Sequence, residues 1–292
     1  MIAPQSSLLP DGKRLHLQHG PIDLVIEAFG DDVEVKLAYG QAVARFQTIL
    51  NELVAELPSL RQNFDEGRSF KSSVAKTMQQ AIKPFGGIFR TPMAAVAGAI
   101  ADHILAALMD GRQIDKAYVN NGGDIALFLN PKARFDVGIV SSLTPPKLAG
   151  KITIADNDNI SGIATSGRHG RSLSLGIADA VTVLAKTAAE ADIAATLIAN
   201  HVKLSNHPAI KRLPAIQLDP DNDLGECLVT VDVGALNIND VKLALADGQR
   251  YGEKLLKQGL IKAASLCLNN EIRLIGDKKL NTSDTKRELL HA

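Results

Sequence analysis

Three short stretches of this chain hold residue types and spacings that could act on a phosphate-bearing ligand. In AEADIAAT, Asp192 and Thr196 stand four residues apart. On a helix that spacing puts both side chains on one face. A carboxylate and a hydroxyl one turn apart can offer Mg²⁺ two oxygens, with waters and ligand phosphates completing an octahedron. The plainer reading is that Asp192 complements the dipole of a first helical turn and Thr196 only packs.

The second stretch is Ala164-Thr165-Ser166-Gly167-Arg168-His169-Gly170-Arg171-Ser172. Glycines beside donors can form an amide nest for phosphate, and Arg or His supplies charge. A solvated hairpin loop would read the same way. The third is Val119-Asn120-Asn121-Gly122-Gly123-Asp124. Two glycines after a strand let the backbone bend sharply and approach a ligand closely. Asn121 and Asp124 beside them could meet a ribose, a base edge or a metal-bound water; a tight turn between two strands is the alternative. The Ala164–Ser172 stretch has the spacing of neither a Walker loop nor a Rossmann fingerprint. Asp102 and His103 interrupt an otherwise apolar helix, and such a pair reads as a satisfied structural group rather than a catalytic dyad.

Stepping outward, the spacing predicts a hairpin over 13–29 about His19-Gly20-Pro21, with Leu15, Leu17, Leu24 and Ile26 buried. A helix over 32–57 should stop at Pro58, and a weaker helix should follow at 70–82. Thr91-Pro92 should open a buried helix over 92–110, closed by Gly111. Strands are expected on both sides of Gly122-Gly123, at 135–140 and 150–155 around Pro145-Pro146, near 162–165 and at 179–185. A helix over 187–203 starts on the capping-box pattern Thr187-Ala188-Ala189-Glu190. Residues 204–224 read as irregular surface, 226–233 as a strand, and 239–258 as a helix capped by Asn239 or Asp240. Strands 260–268 and 271–275 should form a hairpin about Asn269-Asn270, a pair that tolerates positive φ. Residues 277–292 are charged and aperiodic, so a disordered tail is expected there after a single domain over 1–276.

The chain has 292 residues, and 46% of them are hydrophobic, enough for a sizeable core. Aromatics make up only 4%, so that core rests on Ala, Val, Leu and Ile. Basic and acidic residues balance at 32 each, which argues against a nucleic-acid footprint or a basic membrane surface. Cys227 and Cys267 sit in apolar runs and read as buried hydrophobes rather than a disulfide or zinc pair. The start, MIAPQSSLLPDGKR, reads as neither signal peptide nor lipidation site. The apolar run Met93–Ala101 is too short to span a bilayer. No membrane association and a cytoplasmic location are therefore expected. Small-residue helix faces and the final hairpin are compatible with a homodimer.

Taken in order, VNNGGDIAL, IATSGRHG and AEADIAAT resemble the last three motif elements of the ApbE-like superfamily, whose best-known members are FAD:protein FMN transferases. The similarity is greatest to a short cytosolic branch that shares the PMAAVAGAIAD helix and an ending like GLIKAASLCLNNEIRLIG. The resemblance implies a mixed α+β (α/β) architecture, T-fold-like and two-lobed, with a small-molecule nucleotide or flavin as partner. It implies Mg²⁺ held by Asp192 and Thr196, and FAD or FMN as cofactor. Asn121, Gly122, Gly123 and Asp124 would line the nucleotide site, and Thr165, Ser166, Gly167 and Arg168 the phosphate or flavin turn. The implied reaction is Mg²⁺-assisted transfer of FMN from FAD to a protein Thr or Ser, with AMP leaving. Two departures stand out. The family's Lys before Gly falls at Ala97, ahead of Gly98, and its long H-x-x-D-P-x-T-G hairpin is replaced by the link Ser172–Asp179. Nucleotide binding without FMN transfer is thus a second expectation, as a carrier or as a same-fold enzyme of the kind linked to sulfur assimilation and homocysteine formation.

Overall fold

The structure is a computed structural model that describes residues 3–86, 90–143, 146–170 and 172–277. Of the expected tail only Asp277 is described, and Gly87, Pro145 and Arg171 also lie outside the described residues. The fold is mixed α/β, with thirteen strands and six α-helices among the described residues. It divides into two compact units. The first is Met1–Arg134 with Ala155–Ala164 and Ala185–Ile193. The second is Phe135–Ile154, Thr165–Leu184 and Ala194–Ala292.

The first unit opens with β1 (Gln5–Leu8), β2 (Leu15–His19) and β3 (Ile22–Gly30), paired antiparallel in succession. Gly20 takes φ +57 at the β2–β3 turn, and Leu15, Leu17, Leu24 and Ile26 are buried as their alternation predicts. Helix α1 (Asp32–Leu60) begins where the Asp31 carboxylate accepts the N–H groups of Val33 and Glu34. It passes through Pro58 instead of stopping there. Pro58 lies in the last turn, where only one helical bond is lost. Fully buried Leu60 and the Arg61 N–H on Leu57 O hold that turn closed.

Helix α2 (Ser73–Ile82) follows its Ser72 cap. The expected helix from Pro92 is a 3₁₀ turn, Pro92–Ala95, without a side-chain cap from Thr91, leading into α3 (Val96–Met109). By length and hydropathy Pro92–Met109 could cross a membrane, unlike the shorter run Met93–Ala101. Its packing against α1, α2, β4 and β5 accounts for its apolar composition. Strands β4 (Ile114–Asn121) and β5 (Asp124–Leu129) pair antiparallel on the far side of β3. Helices α1 and α3 cover this sheet.

Strands β6 (Arg134–Leu143) and β7 (Pro146–Ala155) form a separate ribbon, longer than the spacing predicts. Strand β8 (Gly162–Ser166) pairs with β5 through Ile163 and Gly162. Strand β9 (Ala180–Ala185) and helix α4 (Ala188–His201) follow. The stretch expected to be irregular holds β10 (Ile210–Pro214) and α5 (Ala215–Leu218). Strand β11 (Leu228–Val233) pairs with β10. Helix α6 (Ile238–Lys257) is capped by Asn237, not by Asn239 or Asp240; the Asn237 side chain takes both of their N–H groups. Strands β12 (Ala263–Leu268) and β13 (Glu271–Ile275) close the second unit as a hairpin, with Asn269 and Asn270 at φ +49 and +64. Strand β12 pairs with β9 on its other edge, and α6 packs on β12 and β13. Both β9 and β12 are buried at every residue, which explains their continuous apolar runs.

Candidate functional site

In the first unit three elements converge on the start of α4. The β4–β5 turn is built by Gly122 at φ +65 and Gly123 at φ +113, with Asn121 facing Asp124 across the ladder. The Asn120 side chain accepts the Gly123 N–H at 2.9 Å. Buried Asn121 donates to Ala97 O at 3.1 Å and so ties this turn to the first turn of α3. The asparagines are therefore scaffold, and the glycine backbone is what the turn presents.

Helices α3 and α4 approach at backbone distance. A Cβ on Gly98 would lie 2.2 Å from Ala188 O, and one on Gly162 would lie 1.9 Å from Thr187 O. Both glycines thus press on adjoining carbonyls at the start of α4, and only glycine fits at either place. Asp102 on α3 accepts the N–H groups of Ala188 and Ala189 at 3.0 and 2.9 Å. Thr187 Oγ1 accepts the Glu190 N–H at 3.2 Å, the Thr half of the expected capping box. Asp192 reaches back, and its Oδ2 accepts the Gly98 N–H at 3.0 Å. Asp102 is accordingly a structural cap, and His103 turns elsewhere, with Nε2 2.9 Å from Thr77 Oγ1.

Burial pushes the Asp102 carboxyl up to about 6, against the pull of its two amide bonds. The Asp192 carboxyl is pushed well above the usual range, first by burial and then by the neighbouring Asp124 carboxylate, while the amides of Gly98 and Ala97 oppose the rise. Ala97 carries no side-chain charge to offset this. Between Ala191 and Ala199 every residue of α4 is buried except Asp192 and Thr196, which are half-buried. Their four-residue spacing puts both side chains on one face of that helix. Among the described residues no group of three His, Cys, Asp or Glu side chains is disposed to hold a metal. A site of one carboxylate, one hydroxyl and ligand oxygens does not need such a group. Two carboxylates sharing a buried region are what a divalent cation would neutralise, so the donor set fits Mg²⁺.

In the second unit the loop after β8 is strapped down. Thr165 Oγ1 lies 2.9 Å from the hydroxyl of buried Thr182. A Cβ on Gly167 would meet Asp179 O at 2.5 Å, and Gly170 N–H bonds Gly167 O at 3.0 Å. Arg168 donates its Nε and Nη2 to Asp179 Oδ1 at 3.0 and 2.8 Å. Asp179 Oδ2 takes the Asn269 N–H at 2.6 Å. The Arg168 charge is thus already matched by a buried carboxylate. Asp179 joins loop 166–170 to the β12–β13 turn, a role that sequence reasoning missed. Its one signal was an acidic residue inside the apolar run Ile177–Val181. Burial raises the neighbouring Cys267 thiol to about 11, which leaves it an inert apolar side chain.

A family model described as AbpE bacteria matches residues 6–274. A UPF0280 protein of Methanopyrus kandleri is 35% identical over 213 residues, covering 72% of this chain and 83% of that protein. A second UPF0280 protein, of Methanothrix thermoacetophila, is 36% identical over 159 residues, or 53% of this chain and 59% of that one. Among solved structures, the flavin transferase ApbE from Vibrio cholerae is 12% identical with a TM-score of 0.49, over 96% of this chain and 98% of that one. The apo flavinyl transferase ApbE of Pseudomonas stutzeri is 9% identical with a TM-score of 0.45, over 98% and 97%.

Proposed function

This chain belongs to the ApbE-like superfamily, through the AbpE bacterial family and its UPF0280 relatives, and from that premise we propose that it is a Mg²⁺-dependent protein acting on the pyrophosphate of a flavin nucleotide. The observation that carries the reading is on α4, where the two half-buried positions between Ala191 and Ala199 are Asp192 and Thr196.

In this reading Asp192 and Thr196 hold the metal. Magnesium, when bound, would supply the positive charge that offsets the pyrophosphate. Asp192 is suited to its part because the Gly98 N–H fixes one of its oxygens. The Thr196 hydroxyl follows one turn later on the same helix face. In the first unit, Gly122–Asp124 form a nucleotide-contacting turn that buried Asn121 holds in place and whose glycines permit close approach of backbone amides. In the second unit, Thr165–Arg168 form a phosphate- or flavin-contacting turn that Asp179 holds in shape. The absence of a cationic side chain at Ala97 leaves charge neutralisation to the metal.

With FAD, an acceptor hydroxyl oxygen bonds the flavin-side phosphorus, the pyrophosphate P–O bond breaks, AMP leaves, and the hydroxyl proton passes to solvent or a base. The test is incubation of the pure protein with FAD and Mg²⁺, with and without a Thr- or Ser-bearing acceptor protein, reading AMP release and covalent flavin. AMP that depends on Mg²⁺ and is lost in Asp192→Ala supports the proposal. No AMP under any of these conditions overturns the pyrophosphate chemistry. Tight flavin binding without turnover would then mark a carrier.

A further inference from the structure

Helices α3 and α4 exchange carboxylates. Asp102 lies four residues after Gly98, and Asp192 lies four residues after Ala188. Asp102 takes the amides of Ala188 and Ala189, and Asp192 takes the amide of Gly98. The two helix starts touch between these bonds, since Gly98 has no room for a Cβ against Ala188 O. The four residues close a ring: Gly98 and Asp102 on one helix, Ala188 and Asp192 on the other. Within this ring the first free amides of α4 are all spoken for, by Asp102 and by Thr187. The start of α4 therefore has no amide left to offer a ligand phosphate, and its register against α3 is fixed.

We propose that Asp102 is the positioning residue of the metal site. By gripping the first two amides of α4 it sets the height and rotation of that helix against α3. It thereby sets where the Asp192 carboxylate stands, without touching metal or substrate itself. The inference rests on the reading of Asp192 and Thr196 as metal ligands. It adds that the affinity of that site is governed from α3, through the ring. A cap that served only the fold would stabilise α4 and leave the ligand geometry alone.

The test uses the full-length protein with Mn²⁺ as the probe, well below the unfolding midpoint, and reads two quantities. The first is Mn²⁺ affinity by titration. The second is amide hydrogen exchange of Gly98 in the metal-free protein. Asp102→Ala should weaken Mn²⁺ binding about tenfold or more, in the range that orienting groups of metal ligands command. It should also speed exchange at Gly98, whose own acceptor, Asp192, is untouched. Asp102→Asn keeps one carbonyl acceptor and should restore most of the affinity. If Asp102→Ala does not fold, Asp102→Glu keeps the charge but displaces the cap by one methylene, and it should fold and bind Mn²⁺ more weakly. A folded Asp102→Ala or Asp102→Glu with wild-type Mn²⁺ affinity and wild-type Gly98 exchange overturns the proposal and leaves the metal site standing. A wild-type protein that binds no Mn²⁺ overturns the metal reading and this inference with it.

Discussion

Asp102 caps the helix that carries Asp192, and Asp192 caps the helix that carries Asp102. This reciprocity gives the two carboxylates different jobs. Asp102 spends both oxygens on amides. Asp192 takes the Gly98 amide on Oδ2, also feels the Ala97 amide, and stands beside Asp124, which raises its proton affinity.

Asp192→Asn should therefore separate function from stability. The amide keeps an acceptor for Gly98 and removes the repulsion with Asp124. Metal-free protein should become more stable, seen as a higher thermal midpoint. Metal-dependent turnover should fall on the order of 10²-fold or more, because charge neutralisation at a phosphoryl centre is a several-kcal/mol effect. A variant with lower metal-free stability would show that the wild-type charge is already compensated within the fold.

The pH dependence has a definite sign. Asp102 titrates at about 6 in the folded chain against 3.8 for the free side chain. The folded state then binds more protons than the unfolded state between those values. Its contribution is fully present below the unfolded value and is lost as pH rises through about 6. A shift of this size corresponds to about 3 kcal/mol at most. His103, His169 and His201, whose proton affinity burial lowers, act in the opposite direction. The Asp102 share is therefore read by urea titration as the metal-free stability of wild type minus that of Asp102→Asn, a difference that should fall from pH 4 to pH 7. The raised Asp192 carboxyl acts in the same direction as Asp102 and is present in both proteins, so it cancels in that difference.

Glycine substitutions should divide sharply by place. Gly98→Ala and Gly162→Ala each drive a methyl into the Thr187–Ala188 backbone, which cannot yield as a side-chain tip would. Each should destabilise by about 3 kcal/mol or abolish folding. Gly40, in the interior of α1, has nothing within 4 Å of a built Cβ. Gly40→Ala should stabilise by about 0.5–1 kcal/mol, since it lowers the entropy lost on helix formation. Chemical denaturation of the three variants measures all of this in one series.

These contrasts mark what could be read from the chain. Local chemistry was legible: Gly20 and Asn269-Asn270 take the positive φ their turns require, and the apolar alternation placed Leu15 through Ile26 in the core. Boundaries set by tertiary contact were not. Leu60 draws α1 past Pro58, and Asn237 rather than its neighbours caps α6. Strand β10 has only Ile210 buried, followed by the adjacent charges Lys211 and Arg212, so its pattern looked like surface until β11 paired with it. At the candidate site, the face shared by Asp192 and Thr196 followed from helical spacing. The Asp102 cap did not, because it joins residues 86 and 87 apart in sequence.

Arg168 and Asp179 offer the last test. The side chains are 19% and 12% exposed, and two guanidinium donors meet one carboxylate oxygen. The other oxygen is held by the Asn269 amide. Arg168→Ala would leave that carboxylate buried with one amide bond and His169 at 3.8 Å, whose own burial works against its protonation. Removing one partner of a buried pair destabilises by about 3–5 kcal/mol. Asp179→Asn retains an acceptor for Asn269 or Arg168 and should be milder, about 1–2 kcal/mol. Loop 166–170 should loosen in both, with faster amide exchange at Arg168, whose N–H now bonds Ala178 O at 2.9 Å. If flavin binds this loop, its affinity should fall in both variants in the same order as their stability. A loss confined to Arg168→Ala would instead mean that the guanidinium itself meets the ligand, with Asp179 holding it in place.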